Sequence, residues 1–232
     1  MKIGLVLPYN ITKGGGVKEH VFAQATELVR RGHQVVIITP QPRDPFESND
    51  LRVAFLGTAT NAITMLNTTP TFSASMLTDE IDNLLEQEDF DILHFHEPWV
   101  PVLSRQILSR SRSVNVATFH AKLPDTFTGQ TVGKVVTPYT KPLLRHIDAF
   151  TAVSDAAAEY LLSLADVEVE IIPNGIDINH FKKPRSYKPI EDGMKTILYI
   201  GRLENRKGVK YLIDAFADLQ NRQSDVRLLI AG

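Results

Sequence analysis

Three groups of residues in this chain have the types and spacing to do chemistry. The first is Arg202, Arg206 and Lys207 in Ile200-Gly-Arg-Leu-Glu-Asn-Arg-Lys-Gly208, which joins an apolar run to a helical pattern starting near Val209. In a parallel α/β unit the loop after a strand opens on the ligand crevice, and the first N–H groups of the next helix face it. Cations are unfavourable at a helix N-terminus unless an anion joins them, so a basic cluster there suits an anion. The second group is Gly14, Gly15 and Gly16 in Pro8-Tyr-Asn-Ile-Thr-Lys-Gly-Gly-Gly-Val17. Three glycines let the backbone take positive φ and pass close to a ligand ahead of a helix N-terminus. The segment is neither a Walker loop nor a G-x-G-x-x-G fingerprint, and such a triplet alone also reads as a flexible turn. The third group is His120, which ends Val-Asn-Val-Ala-Thr-Phe-His, together with His94, His96 and Glu97 in Leu-His-Phe-His-Glu-Pro. His120 reads either as a substrate contact at a strand end or as a histidine bonded to a neighbouring loop. His94 and His96, two apart on a strand, point the same way and with His120 form a candidate metal set. No H-E-x-x-H spacing supports it, and structural histidines are the preferred reading.

The composition narrows the chemistry. The chain has 232 residues, 43% hydrophobic and 22% charged, the profile of an ordinary globular protein. A net charge of −2 offers no general attraction for nucleic acid, and no nucleic-acid partner is expected. With no cysteine there is neither a disulfide scaffold nor a thiolate metal site, in keeping with a reducing, cytoplasmic setting. The first apolar run, Ile3 to Leu7, is too short for a signal peptide, and no stretch approaches the roughly 20 apolar residues of a membrane span.

The elements that must position these groups follow from periodicity. Ile3 to Leu7, Val35 to Thr39, Val53 to Leu56, Ile92 to His96, Val114 to Phe119, Ala149 to Val153 and Val167 to Ile172 read as strands, several of them almost wholly apolar or β-branched. Val17, Val21, Ala25, Leu28 and Val29 line one face of a helix closed by Gly32, and Leu77, Ile81, Leu84 and Leu85 do the same for a second. The alternation predicts a doubly wound parallel sheet. Ser154 reads as a helix N-cap and Asn174-Gly175 as a tight turn, both structural. The boundaries expected are a Rossmann-like domain over 1–183, a Lys/Pro-rich linker over 184–195 and one βαβ unit of a second domain over 196–232.

Taken in order, Gly-Gly-Gly-Val-Lys-Glu-His-Val, Arg-Arg-Gly-His-Gln-Val-Val-Ile-Ile-Thr-Pro, Phe-Asp-Ile-Leu-His-Phe-His-Glu-Pro, Val-Ala-Thr-Phe-His, Ile-Pro-Asn-Gly-Ile-Asp and Ile-Gly-Arg-Leu-Glu-Asn-Arg-Lys-Gly cover almost the whole chain. This succession resembles the retaining nucleotide-sugar glycosyltransferases of the two-Rossmann-domain, GT-B type, family 4 (group 1), and within it the phosphatidylinositol mannosyltransferase branch. The resemblance implies transfer of a hexose from a nucleotide diphosphate sugar to a hydroxyl acceptor, lipid or sugar, with retention. It implies that Gly15 and Gly16 face the donor diphosphate and sugar, that His120 contacts the donor sugar near the reacting carbon, and that Arg202 and Lys207 grip the diphosphate. Tyr9 and Lys18 would lie on the acceptor side. Neither a metal nor another cofactor is implied, because the departing phosphate itself helps to deprotonate the acceptor.

Two departures from the family pattern qualify these expectations. The Gly-rich loop and glutamate pair that hold the ribose and sugar in the family's second domain do not occur before Gly232, so the chain alone is expected to be inactive, to bind nucleotide weakly and to self-associate through its C-terminal segment. A non-catalytic phosphate-ligand or protein-binding module is the rival reading. The helix that is basic in the lipid-acting enzymes carries Asp79, Glu80, Asp82, Glu86, Glu88 and Asp89 here, with no Lys or Arg from Val53 to Ser104, so attraction to an anionic bilayer is weakened and any membrane contact is peripheral.

Overall fold

The computed structural model describes residues 1–47, 50–61, 71–74, 78–100, 102–121, 137–182 and 192–232. They fall into two compact units, one ending at Gly175 and the other running from Ile176 to Gly232.

The first unit is built on a sheet whose strands are β1 (Lys2–Val6), β2 (Gln34–Gln41), β3 (Arg52–Asn61), β4 (Thr71–Ala74), β5 (Ile92–His96), β6 (Val114–Phe119), β7 (Ala149–Ala152) and β8 (Val169–Ile171). Their order is β4-β3-β2-β1-β5-β6-β7-β8, with every pair parallel except β3 and β4. The doubly wound parallel sheet is therefore present, and all seven strands read from the sequence belong to it. The antiparallel edge strand β4 was not anticipated: Thr71-Phe-Ser-Ala74 carries no apolar run to betray it.

The strands form where they do because both faces are covered. Leu5, Leu7, Ile37 and Val35 pack on one side with Val21 and Ala25 of helix α1 (Gly16–Arg30). Val6, Val36, Ile38, Leu93, Phe95, Ala117 and Phe119 pack on the other with Ile81 of α2 (Thr78–Glu88) and with Leu103 and Ile107 of α3 (Leu103–Leu108). Gly4 sits where β1 runs between β2 and β5, and a Cβ there would come within 2.5 Å of Leu93 and 3.2 Å of Ile38 and Phe90.

Helix ends follow their sequence signals. Gly32, at φ +84°, closes α1 by donating its N–H to Val29, while His33 donates to Leu28, the reciprocal pair of a Schellman motif. Ser154 caps the helix Asp155–Leu164 by accepting the Ala157 N–H at its hydroxyl. Leu77, the first residue expected in α2, lies outside the described residues.

In the second unit β9 (Lys195–Ile200) and β10 (Val226–Ala231) pair in parallel, followed and preceded respectively by the helix Val209–Gln220. The short helix Ile178–Lys182 belongs to the same unit. Residues 184–191 of the expected linker lie outside the described residues, and its last residue, Lys195, is the first of β9. Among the described residues no helix is long and apolar enough to cross a membrane.

Candidate active site

In an open parallel sheet ligands bind outside the carboxyl ends of the strands where the strand order reverses. Here that point lies between β1 and β5, since β1 pairs with β2 on one side and with β5 on the other. The loop after β1 carries Tyr9, Gly14 and Gly15 and leads into Gly16 of α1, β5 ends in His96 and is followed by Glu97, and β6 is followed by His120. Register brings the last two together: His96 lies opposite Thr118, so Glu97 and His120 both project beyond the end of the ladder.

The glycines are not where they are for conformational reasons. None of Gly14, Gly15 and Gly16 takes the left-handed backbone expected of them, and Gly15 at φ 175° is simply extended. All three are exposed, and a Cβ added to any of them would meet nothing within 4 Å. The expectation of positive φ is thus corrected, because the turn into α1 is made with ordinary dihedrals. What the glycines provide is bare backbone beside open space at the helix N-terminus.

His120 is held from two sides. Its Nε2 shares a hydrogen bond of 3.0 Å with Nδ1 of the fully buried His96, and its backbone N–H donates to Oε1 of Glu97 at 2.7 Å. Glu97 is 1% exposed, and its carboxyl also takes the Ala121 N–H and the Trp99 indole N–H. It adopts φ +55°, a left-handed backbone that costs a non-glycine residue on the order of 1 kcal/mol. Burial raises its pKa to about 7 even though the three N–H donors pull the other way. Burial also lowers His120 to about 3 and His94 to about 4, and takes His96 well below its ordinary value. At neutral pH these imidazoles are uncharged, so His120 can offer a ligand a hydrogen bond without presenting a full charge.

His94 does not join a metal set with His96 and His120. Its Nδ1 faces the Gln24 amide nitrogen at 3.0 Å and its Nε2 lies 2.6 Å from Thr118 Oγ1, which in turn pairs with Thr151 Oγ1 at 2.6 Å. Both ring nitrogens are engaged within the protein. The sequence argument that i and i+2 point the same way holds, for the His94 and His96 rings stack with centroids 4.5 Å apart, but stacking is not chelation. Among the described residues, His20, His96 and His120 are the group whose ligand atoms all lie close enough to share a metal ion, within 4.8 Å of one another.

His20 went unnoticed in the sequence. It stands one turn into α1 from Gly16, half-buried, with its ring 5.0 Å from that of His120 and 5.5 Å from that of His96. The side chain of Asn174 hydrogen-bonds it, so the Asn174-Gly175 turn read as purely structural reaches the same rim. The available signal was the spacing: a helix beginning at Gly16 returns to the same face at position 20.

Tyr9 is partly buried against the core under α1, and both burial and the nearby Glu97 charge hold its hydroxyl well above its ordinary pKa. Lys18 lies with its ammonium 5.7 Å from the Phe22 ring centroid. In the second unit Arg202 is exposed and pairs with Glu204 at 2.9 Å, and Lys207 is exposed at the end of a 3₁₀ turn, Asn205–Lys207. Gly208, at φ +71°, is the N-cap of the helix Val209–Gln220, which starts where the helical pattern was read. Arg206 lies in the same turn.

Comparison with known proteins adds an independent line. The model of Glycosyltransferase Family 4 matches residues 14–180, and that of Glycosyl transferases group 1 matches residues 181–232. The phosphatidyl-myo-inositol mannosyltransferase of Mycobacterium tuberculosis is 31% identical across 100% of this chain and 60% of its own length. The alpha-monoglucosyldiacylglycerol synthase of Streptococcus pneumoniae is 25% identical across 100% of this chain and 56% of its own length. This chain therefore spans about 60% of the length of such relatives. Among solved structures, the sucrose-phosphate synthase of Thermosynechococcus elongatus superposes with a TM-score of 0.70 at 18% identity, over 100% of this chain and 62% of its own. Anabaena HepE in complex with UDP-glucose does so with a TM-score of 0.63 at 17% identity, over 99% of this chain and 60% of its own. These likenesses place the fold in the GT-B class.

Proposed function

We propose that this chain, which belongs to glycosyltransferase family 4, serves in transferring a hexose from a nucleotide diphosphate sugar to a hydroxyl acceptor with retention. The observation that carries this reading is the rim at the β1/β5 switch point, where exposed glycine backbone at a helix N-terminus stands with a neutral, firmly held His120. Breaking a sugar–phosphate bond creates an anionic leaving group, so fixed N–H dipoles and cations aimed at the diphosphate lower the barrier. Gly15 and Gly16 supply the bare backbone, and Arg202 and Lys207 of the second unit supply the cations. His120 contacts the sugar near the reacting carbon as a hydrogen-bonding group, since an imidazole whose pKa lies at about 3 carries no charge to repel an oxocarbenium-like centre. Tyr9 and Lys18 belong to the acceptor side. No metal or other cofactor takes part in this reading, and no nucleic acid is a partner.

Several relatives lend support by name. A mannosyltransferase acting on phosphatidyl-myo-inositol and a synthase of a glucosylated diacylglycerol are both hexosyltransferases with lipid products, and HepE is found with UDP-glucose. The acceptor hydroxyl belongs on this basis to a lipid or a sugar. The acidic first turn of α2, with Asp79 and Glu80, does not suit docking on an anionic bilayer through that helix, so a cytoplasmic protein with at most peripheral membrane contact is the localisation that fits. The expected division into a Rossmann-like domain to about residue 183 and a nucleotide-side domain from residue 196 is part of the same proposal.

Calorimetry with UDP, GDP and ADP, followed by turnover of UDP-glucose and GDP-mannose by the full protein, tests it. Weak nucleotide binding by residues 1–232 and release of free nucleotide diphosphate by the full protein are expected. Phosphate-ligand binding with no sugar transfer by the full protein would favour a non-catalytic module instead.

A further inference from the structure

Beyond the last rung of the β5–β6 ladder, where the Glu97 N–H donates to the Thr118 carbonyl at 2.9 Å, the two chains part. Glu97 turns away at φ +55°, so its strand offers no carbonyl to the next N–H of the neighbouring chain, that of His120. The Glu97 side chain takes the carbonyl's place. One oxygen accepts the His120 N–H at 2.7 Å, the Ala121 N–H donates to the same carboxyl, and the other oxygen accepts the indole N–H of Trp99. Three donors converge on one carboxyl in a site that is 1% exposed. Buried polar groups of this kind are costly unless every partner is met, and here the three N–H groups meet theirs on one carboxyl.

We infer that Glu97 is the positioning residue for His120: by replacing the missing rung it sets the backbone from which the His120 ring reaches the switch-point rim, while Trp99 fixes the carboxyl from the far side. The Val153 N–H, donating to the Phe119 carbonyl at 3.1 Å, holds the β7 side of the same peptide, the bond from His120 Nε2 to His96 Nδ1 orients the ring, and Glu97 holds the peptide from the β5 side. Glu97 touches no reacting atom and acts through His120. The strained φ at Glu97 has its explanation here, because only a chain that leaves the sheet at this residue can fold its side chain back over the end of the neighbouring strand. The catalytic part of the inference rests on the glycosyl-transfer reading above, whereas the structural part does not.

The test compares Glu97→Gln with the parent chain and uses two readouts. A glutamine places two N–H donors among three incoming N–H groups, so at least one pairing is lost at nearly constant volume. By amide hydrogen exchange followed by NMR on residues 1–232, the His120 and Ala121 amides should lose at least 10-fold of their protection, while the amides of Leu93, Phe95, Val116 and Thr118 keep theirs. Unchanged protection at His120 in both Glu97→Gln and Glu97→Ala, the second of which removes every acceptor, overturns the inference, whatever the protein's activity. Should Glu97→Gln fail to fold, Glu97→Asp, which keeps the charge but shortens the reach, is read in the same way. In the full protein, Glu97→Gln should lower kcat for sugar transfer at least 10-fold with less than 3-fold change in donor KM, and should cost nothing further once His120 is alanine. An equal cost in both backgrounds overturns the positioning role. If the parent transfers no sugar, the transfer reading fails while the exchange result still decides the Glu97–His120 link.

Discussion

His96 Nδ1 and His120 Nε2 stand 3.0 Å apart, joined by a hydrogen bond between side chains from neighbouring strand ends. A pair in this arrangement shares one proton between its two facing nitrogens, which a common metal ion would have to displace. With no metal expected in the transfer reaction, elemental analysis of the purified protein should find well under one zinc ion per chain. One bound ion per chain, lost on replacing His20 by alanine, would instead make His20, His96 and His120 a metal site.

In the full protein, His120→Ala and Lys207→Ala should each lower turnover by about 10²-fold, the usual cost of removing one contact to developing charge. Circular dichroism should show both variants folded, because Lys207 is exposed and His120 lies past the end of β6. Near-parental rates would return both residues to a structural role.

Two glycines should respond in opposite ways. Gly4→Ala forces a methyl to within 2.5 Å of Leu93 inside the packed sheet and should cost about 1–3 kcal/mol in urea unfolding. Gly16→Ala meets open space and should leave stability unchanged or slightly raised. Its effect belongs to the ligand: calorimetry should show nucleotide diphosphate binding weakened several-fold. Equal behaviour of the two variants in both assays would remove the case for a ligand over Gly14 to Gly16.

Stability should fall steadily as pH drops from 7 to 4.5. The folded-state pKa values of His94 and His120, about 4 and about 3, lie below the ordinary 6.5, as do those of His20 and His96, so the unfolded chain takes up these protons first on acidification. Glu97 works against this trend. Its folded-state value of about 7 lies above the ordinary 4.5, so its contribution is greatest in acid and is lost as pH rises towards 7. Four groups outweigh one, and the Glu97→Gln variant should show a steeper acid loss than the parent in urea midpoints measured across this range. A flatter profile in the variant would contradict the environment described for Glu97.

Residues 1–232 should self-associate through the second unit. Leu198, Ile200, Leu229 and Tyr211 are 54%, 75%, 51% and 76% exposed, and no residue of the helix Val209–Gln220 is buried. Uncovered apolar faces and open strand edges recruit other chains. Light scattering should find residues 1–232 larger than a monomer and a chain ending at Lys182 monomeric, whereas two monomers would refute the expectation.

Much of this architecture was legible in one dimension. Apolar, β-branched runs such as Val35 to Ile38 become strands covered on both faces, and Gly32 and Ser154 end and begin helices, because each signal acts on backbone within a few residues of itself. The candidate residues at strand ends, His120 above all, were legible for the same reason: a polar residue closing an apolar run lies at the sheet rim. Tertiary structure alone decided what those residues do to one another. Glu97 meets the His120 N–H across 23 positions of sequence, His94 meets Gln24 across 70, and His20 reaches both His96 and His120 from another element. Those meetings depend on the register of β1, β5 and β6 and on where β5 turns out of the sheet, quantities set by packing of the whole core and carried by no local pattern. The same core decided that Gly14 to Gly16 face open space in ordinary backbone conformations.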